Sequence, residues 1–234
     1  MKPIDVINVG GLMGKNDGIE VALRKRGNVR SVVTLYPTPV SAAMEDPEVC
    51  ADRLDVMIRA RVANLERQFG EKPRVRLVGL SYGFCTALIM AMRTNFQDIF
   101  DLIGIEGPIN PDVPVTPPLL IPPLLTCTKH YARRPELMRE VHDYLQMSGM
   151  MDRVTVMRGS AHDDVVPLAA QIFPGEFSGR LVTFPPDIGN KREGWKSVFP
   201  DEYLNHLSWS DAKMAMACDV IERDEESATM AMSA

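Results

Sequence analysis

Residues 74–83 read RVRLVGLSYG, and residues 84–93 continue as FCTALIMAMR. The first stretch contains an apolar, β-branched run typical of a buried strand, and the second is an apolar helical pattern. Between them, Gly79 to Gly83 match G-x-S-x-G. This pattern needs a strand entering and a helix leaving, because its serine sits on a tight, strained turn above the sheet. The stretch therefore predicts an α/β fold with Ser81 as a nucleophile.

On both sides of this stretch, short β-branched runs alternate with helical patterns. Because such alternation is typical of parallel sheets covered on both sides, we predict a mostly parallel central sheet with helices on both faces. The predicted strands are 4–9, 29–36, 74–79, 102–105, 153–157 and 180–184. The first predicted helix is capped by Asn16 or Asp17 and ends at Gly27, and the others are 47–69, 84–92, 131–146 and about 210–221.

The stretch 108–123, PINPDVPVTPPLLIPP, interrupts the alternation, because it is too rich in proline for a regular helix or a central strand. We predict a single domain over residues 1–234, with an insertion at 108–150 that lies outside the sheet. The insertion carries an apolar group between 119 and 125. These side chains either line the Ser81 pocket or pack the insertion onto the body, and both interpretations stay open.

Composition and charge exclude several classes of protein. A formal net charge of -5 without any run of Lys and Arg argues against a nucleic-acid-binding protein. No stretch approaches the length of a membrane-spanning helix, and MKPIDVINVGG lacks the features of a signal peptide, so we expect a cytoplasmic protein. The cysteines lie far apart, which favours buried or inert thiols over a metal site or disulfides. They are Cys50, Cys85, Cys127 and Cys218.

A nucleophilic serine needs a histidine base and an orienting carboxylate, and after a serine in G-x-S-x-G these follow in the chain order Ser, Asp or Glu, His. His130 and His142 fall in the insertion, and His162 adjoins the candidate acids. His206, in DEYLNHLSW, follows the last predicted strand and precedes the last helix. The sequence therefore predicts His206 as the base.

The acid is expected on a loop that leaves a strand upstream of the base. The predicted strand RVTVM leads into RGSAHDDVVP at 158–167, which offers Asp163 and Asp164. A carboxylate there can hold the imidazole of His206 in its working tautomer.

Glycines follow the first strand, in Asn8 to Gly14 (NVGGLMG), and let a backbone N–H approach a reacting carbonyl. Together with the N–H of Tyr82, such a group can stabilise an oxyanion. Leu12 is the better candidate for the second donor, and Gly11 is the alternative.

Two cofactor motifs are near matches only. Gly14-Lys15 resembles the end of a phosphate-binding loop, but Val9 stands where the first glycine is needed and Asn16 replaces the Ser or Thr. The dinucleotide fingerprint G-x-G-x-x-G is also missing. We therefore expect neither a cofactor nor a metal.

Taken together, VINVGGLMG, VRLVGLSYG, RVTVMRGSAHDDVVP and NHLSW resemble the α/β-hydrolase superfamily, and within it the small lipase and esterase-like members. In that family the acid loop ends in an aspartate, a hydrophobic pair and a proline, which implies Asp163 rather than Asp164. The family also places its lid where the insertion 108–150 lies. Two features depart from the family. The oxyanion loop lacks the usual His-Gly, which leaves Gly11 and Leu12 open, and the acid loop is one residue longer, which keeps Asp164 open.

The resemblance implies a serine hydrolase that cleaves a carboxylic ester through Ser81, His206 and Asp163 by way of an acyl-enzyme. Its partner would be a small, apolar acyl ester, and it would need no cofactor. Thioester or amide hydrolysis by the same residues is an alternative, as is a ligand-binding protein without turnover.

Overall fold

The central sheet has six strands, and every neighbouring pair is parallel. In the computed structural model the described residues are 3–11, 17–37, 45–115, 128–159, 166–185 and 209–223. The strands are β1 Ile4–Val9, β2 Ser31–Leu35, β3 Arg74–Leu80, β4 Ile99–Ile105, β5 Val154–Arg158 and β6 Arg180–Thr183. Their spatial order is β2-β1-β3-β4-β5-β6.

Five α-helices surround the sheet in the described part of the chain. They are α1 Gly18–Arg26, α2 Pro47–Phe69, α3 Tyr82–Arg93, α4 Thr128–Ser148 and α5 Asp211–Glu222. Two short 3-10 helices span Met150–Arg153 and Leu168–Gln171.

The alternation of side chains along β3 shows how the two faces are covered. Val75 and Leu77 belong to a core cluster shared with α2, α3 and α4, whereas Val78 and Leu80 belong to a second cluster shared with α1 and α5. A strand buried on both faces requires this near-continuous apolar sequence. The predicted parallel sheet with helices on both faces is therefore confirmed.

Helix α2 matches its predicted bounds because both of its ends carry strong local signals. Asp46 caps the N-terminus and accepts a hydrogen bond from the backbone N–H of Glu48, and Pro47 occupies the first turn. Gly70 ends the helix in the left-handed conformation, at φ 72°.

Strand β4 begins at Ile99 rather than at residue 102. The polar side chain of Asp101 obscured its first half in the sequence. In the structure this carboxylate accepts a hydrogen bond of 2.9 Å from Nε of Arg76 on the neighbouring strand. The pairing satisfies a charge that would otherwise be costly within a sheet.

The described parts of the insertion lie outside the sheet, but α4 is part of the core. Its buried side chains join the cluster on the α2 and α3 side; they are Leu137, Met138, Val141 and Leu145. The helix also continues through Pro135, and it extends beyond the predicted 131–146 at both ends. The apolar group at 119–125 lies outside the described residues.

Arg134 of α4 holds the segment that follows β4. Its guanidinium is buried and donates hydrogen bonds to the carbonyl oxygens of Pro108 at 3.1 Å, Asn110 at 2.6 Å and Val113 at 2.6 Å. We expect Arg134→Met to lower the free energy of unfolding by about 3 kcal/mol, because these buried or half-buried carbonyls lose a charged donor. Urea unfolding measures this loss.

Arg139→Met is the matched control on the same helix, because Arg139 pairs with Asp112 on the surface. Exposed pairs contribute little, so its effect should stay within about 0.5 kcal/mol. Equal stability of the two variants would contradict the anchoring role of Arg134.

None of the helices that the structure describes is long and apolar enough to cross a membrane.

Candidate active site

The sheet topology creates a crevice between β1 and β3. The chain passes from β1 to β2 on one side and then returns past β1 to form β3 on the other side. In open parallel sheets, ligands bind at the carboxyl ends of the strands where the winding reverses in this way. Val9 is in register with Gly79, so the segments that follow these two strands leave the sheet side by side.

Ser81 occupies the turn between β3 and α3 in a strained conformation. Its φ of 53° and ψ of -130° lie in a region that residues other than glycine rarely adopt, at a cost of about 1–3 kcal/mol. Its N–H donates to the carbonyl of Ile105 at 2.8 Å, and its own carbonyl accepts from the N–H of Phe84 at 3.0 Å. Ser81 stands at the N-cap position, yet its side chain makes no capping hydrogen bond. The position therefore does not serve as an ordinary serine cap.

The two glycines of the motif allow the turn to form. A Cβ at Gly79 would lie 2.5 Å from Cα of Phe84, and a Cβ at Gly83 would lie 2.5 Å from the carbonyl oxygen of Val9. Both distances are far below van der Waals contact with backbone atoms that cannot move away cheaply. The motif thus permits β1, β3 and α3 to converge beneath Ser81.

Two of the candidate oxyanion donors, the N–H groups of Tyr82 and Gly11, belong to backbone near Ser81. Tyr82 is the first residue of α3, so its N–H lies among the groups that have no intrahelical partner, at the positive end of the helix dipole. Gly11 follows β1 and runs next to the serine, because a Cβ built on it would lie 3.5 Å from Cβ of Ser81. A chain segment that carries the alternative oxyanion donor is therefore close to the predicted nucleophile.

The Tyr82 side chain faces the core on the α2 and α4 side. Its hydroxyl donates to the carbonyl oxygen of His130 at 2.8 Å, and its ring contacts that of His130 edge to face at a centroid distance of 5.2 Å. Burial raises the pKa of the Tyr82 hydroxyl well above its ordinary value. The side chain of Tyr82 therefore packs in the core, and the part of this residue that is a candidate for catalysis is its backbone N–H.

Four predicted site residues lie outside the described residues: Leu12, Asp163, Asp164 and His206. The loop with the two aspartates follows the carboxyl end of β5, and the segment with His206 follows β6. Since all six strands are parallel, the chain leaves β5 and β6 at the same edge of the sheet at which it leaves β3 for the turn that holds Ser81.

The two histidines of the insertion lie on α4. His130 is fully buried, and its Nε2 lies 3.9 Å from Sγ of Cys50. The ring of His142 stacks on Phe173 at a centroid distance of 5.5 Å. Such packing does not favour a base that must reach a substrate.

Sequence reasoning missed two charged side chains near this edge. Glu106 directly follows β4 with a φ of 50°, and its buried carboxylate pairs with the ammonium of Lys213 in the first turn of α5. A non-glycine residue with positive φ at a strand end beside Ser81 is a structural signal that the sequence alone does not show. The sequence signal that could have revealed Glu106 is the acidic residue of IEGP (residues 105–108), which follows an apolar strand.

Cys85 lies one helical turn after Ser81 but is not a rival nucleophile. Burial raises the pKa of its thiol to about 12, and its Sγ lies 3.4 Å from the carbonyl oxygen of Pro108. Burial likewise raises the pKa values of Cys50 and Cys218 to about 11. All three are free thiols with no exposed surface, as the sequence predicts, whereas Cys127 lies outside the described residues.

We therefore expect iodoacetamide to leave Cys50, Cys85 and Cys218 unmodified in the native protein at neutral pH. The thiolate is the reactive form, and raised pKa values keep it scarce until the pH approaches those values. Unfolding in urea should make all three react. Peptide mapping by mass spectrometry measures this, and rapid modification of Cys85 in the native protein would contradict the burial.

Within the ranges that the structure describes, no three His, Cys, Asp or Glu side chains are arranged to hold a metal ion.

Comparison with known proteins finds similarity in structure only. No protein-family model matches the chain, and no curated protein matches its sequence. Est1E from Butyrivibrio proteoclasticus is 18% identical with a TM-score of 0.55, over 94% of this chain and 86% of that protein. A soluble variant of monoglyceride lipase from Saccharomyces cerevisiae is 12% identical with a TM-score of 0.55, over 94% and 85%.

A third match comes from LipS and LipT, which are metagenome-derived lipolytic enzymes. It is 14% identical with a TM-score of 0.51, over 79% of this chain and 84% of that one. At such identities the likeness concerns the architecture alone, and it agrees with the parallel sheet and the helices on both faces described above. The chain has the α/β-hydrolase fold.

Proposed function

We propose that this protein is a serine hydrolase that cleaves a carboxylic ester, with Ser81 as the nucleophile. The observation that carries the proposal is the strained backbone of Ser81 at the start of α3, beside the reversal point of the sheet. Strain of this kind persists where the surrounding structure enforces it, and it clusters at active sites. Ser81 is half-buried, whereas the ten residues that follow it are buried.

The names of the structural neighbours support the same reaction class. One is a monoglyceride lipase bound to a substrate analogue, and another structure shows Est1E with ferulic acid bound. LipS and LipT are described as lipolytic. Hydrolysis of an ester bond is the chemistry suggested by the lipase and lipolytic names.

In the proposed mechanism, the Ser81 oxygen attacks the ester carbonyl carbon while His206 takes the proton of the Ser81 hydroxyl. Asp163 stabilises the imidazolium that forms. The tetrahedral intermediate collapses, His206 returns the proton to the leaving alkoxide, and the acyl group stays on Ser81. Water then attacks the acyl-enzyme with the same base, which releases the acid and restores the serine. Asp164 is the alternative acid.

Two backbone N–H groups would bind the oxyanion in this scheme. The first belongs to Tyr82, whose place at the N-terminus of α3 favours negative charge. The second belongs to Leu12, or to Gly11, which runs next to Ser81. Loss of one such donor typically lowers kcat by about 10²–10³-fold.

For the substrate, we propose a small ester with an apolar acyl group, received by the apolar stretch 119–125 of the insertion. Apolar pockets with a few polar groups at the reacting centre suit such ligands. The proposal does not require a cofactor, because acyl transfer through a serine needs only the base, the acid and the oxyanion donors.

A substrate series tests the reaction class. The substrates are p-nitrophenyl acetate, butyrate, octanoate and laurate, together with the thioester and the p-nitroanilide of the best acyl group. We expect ester turnover with an initial burst of p-nitrophenolate. The amplitude of the burst should be proportional to the enzyme concentration, which indicates an acyl-enzyme. Preferred cleavage of the thioester or the anilide would change the substrate class. Absence of turnover and of a first burst on all of them would refute the proposal.

A further inference from the structure

The ion pair between Glu106 and Lys213 lies in an unusual place for two charges. The side chain of Glu106 is 2% exposed and that of Lys213 is 5% exposed. Nζ of Lys213 also lies 5.0 Å from the ring centroids of Phe184 and Trp209. Because a buried ion pair is often no more stabilising than apolar side chains of similar volume, stability alone does not account for it.

The pair joins the segments from which the proposed site is built. Glu106 follows Ile105, whose carbonyl accepts the N–H of Ser81 at 2.8 Å. The Glu106 carboxylate lies against Gly159, where a Cβ would be 3.3 Å from Oε1, and Gly159 opens the loop that carries Asp163.

Lys213 lies in the first turn of α5, shortly after His206. The side chain of Ser210 caps this helix and accepts the backbone N–H of Lys213 at 3.0 Å. Trp209, which precedes the cap, packs on Phe184 just after β6, with ring centroids 6.0 Å apart. The residues that directly follow the His206 segment are therefore fixed from two sides, by β6 and by the end of β4.

A second ion pair, between the buried Arg76 and the half-buried Asp101, fixes the opposite end of the same helix. Arg76 pairs with Asp101 near the start of β4, and its Nη1 donates to the carbonyl oxygens of Ile221 and Arg223 at the C-terminal end of α5. Helix α5 is thus held at both ends: Arg76 of β3 binds carbonyl oxygens at its C-terminal end, and Glu106, directly after β4, binds Lys213 in its first turn. The pair with Glu106 alone lies at the carboxyl edge, next to Ser81.

We propose that the Glu106–Lys213 ion pair is a positioning element of the proposed active site, because it fixes the N-terminal turn of α5, which begins five residues after His206 in the sequence, to the end of β4 next to Ser81. Both are positioning residues, since they act through the helix and the loop and not on the substrate. The expected effect of the pair on turnover rests on the proposed function. The role of the pair in holding the first turn of α5 is a separate statement.

The test is a double variant, Glu106→Gln with Lys213→Met, which removes both charges and leaves none buried without its partner. We expect kcat for the best p-nitrophenyl ester to fall about a hundredfold, because displacement by about 1 Å is enough for such a loss. KM should stay within about twofold, because the substrate pocket is not altered. The matched control is Arg76→Met with Asp101→Asn, for which kcat should be unchanged.

Hydrogen exchange of peptides that cover 204–212 gives a readout independent of turnover. Exchange should accelerate in the Glu106/Lys213 double variant and not in the Arg76/Asp101 control. Unchanged exchange, or the same loss of kcat in both double variants, would overturn the inference. If exchange accelerates but the wild-type protein hydrolyses no ester, the proposed function fails while the role of the pair in holding this segment stands.

Glu106→Asp is the milder variant if the double variant does not fold. It keeps the charge and shortens the side chain by one methylene. We therefore expect kcat to fall less than in the double variant, while KM again stays nearly constant. A parallel change in both constants would contradict positioning.

Discussion

Ser81→Ala is expected to lower kcat/KM for p-nitrophenyl esters by roughly five orders of magnitude, as loss of a catalytic serine does in other hydrolases. Without the hydroxyl no acyl-enzyme forms, and only the oxyanion donors and substrate binding remain to assist attack by water. The initial burst of p-nitrophenolate should disappear. Stopped-flow absorbance measures both quantities.

Ser148→Ala is the matched control for this variant. Ser148 ends α4, and its hydroxyl donates to the carbonyl oxygen of Tyr144 at the surface. Its activity should equal that of the wild type. If Ser81→Ala kept wild-type activity, the nucleophile would have to lie elsewhere.

Gly83→Ala is expected to be the most damaging of the small substitutions near the site. Its Cβ would lie 2.5 Å from the carbonyl oxygen of Val9 and 2.6 Å from that of Gly10, so α3 and the end of β1 must separate. We expect the free energy of unfolding to fall by about 3 kcal/mol, since overpacking against backbone has no cheap relief. We also expect kcat to fall about a hundredfold, because the shift moves Ser81 and the Tyr82 N–H relative to the substrate. Urea unfolding and steady-state kinetics measure these effects.

Gly70→Ala separates this effect from the general cost of replacing a glycine. Gly70 has a φ of 72° with open space around it, so alanine there costs about 1 kcal/mol of backbone strain and leaves kcat unchanged. Wild-type stability and activity in Gly83→Ala would contradict the close approach of β1 and α3.

The fold was predictable because local signals agree with the tertiary structure. Strand β1 and helix α2 have the predicted bounds, since an apolar run ending at glycines and a helix with caps at both ends leave few alternatives. The prediction was wrong where a polar residue was satisfied by a distant partner. Asp101 pairs with Arg76 across the sheet, and that pairing extends β4 to Ile99.

The candidate site was predictable in part for a similar reason. Ser81 and its flanking glycines form a local motif, and the structure shows the turn that the motif requires. Glu106 and Lys213 are 107 residues apart in sequence, and only the packing of α5 onto the end of β4 brings them together. The assignments of Leu12, Asp163 and His206 remain predictions from the order of the chain.

The most direct test of the proposed nucleophile is covalent labelling of the native protein with a fluorophosphonate, followed by peptide mapping. An activated serine displaces fluoride and keeps the phosphonyl group, whereas an ordinary surface serine does not react. We predict a single modified site, at Ser81, formed at a rate that falls when a competing ester substrate is present. Labelling at another residue, or no labelling of a protein that hydrolyses esters, would contradict the account.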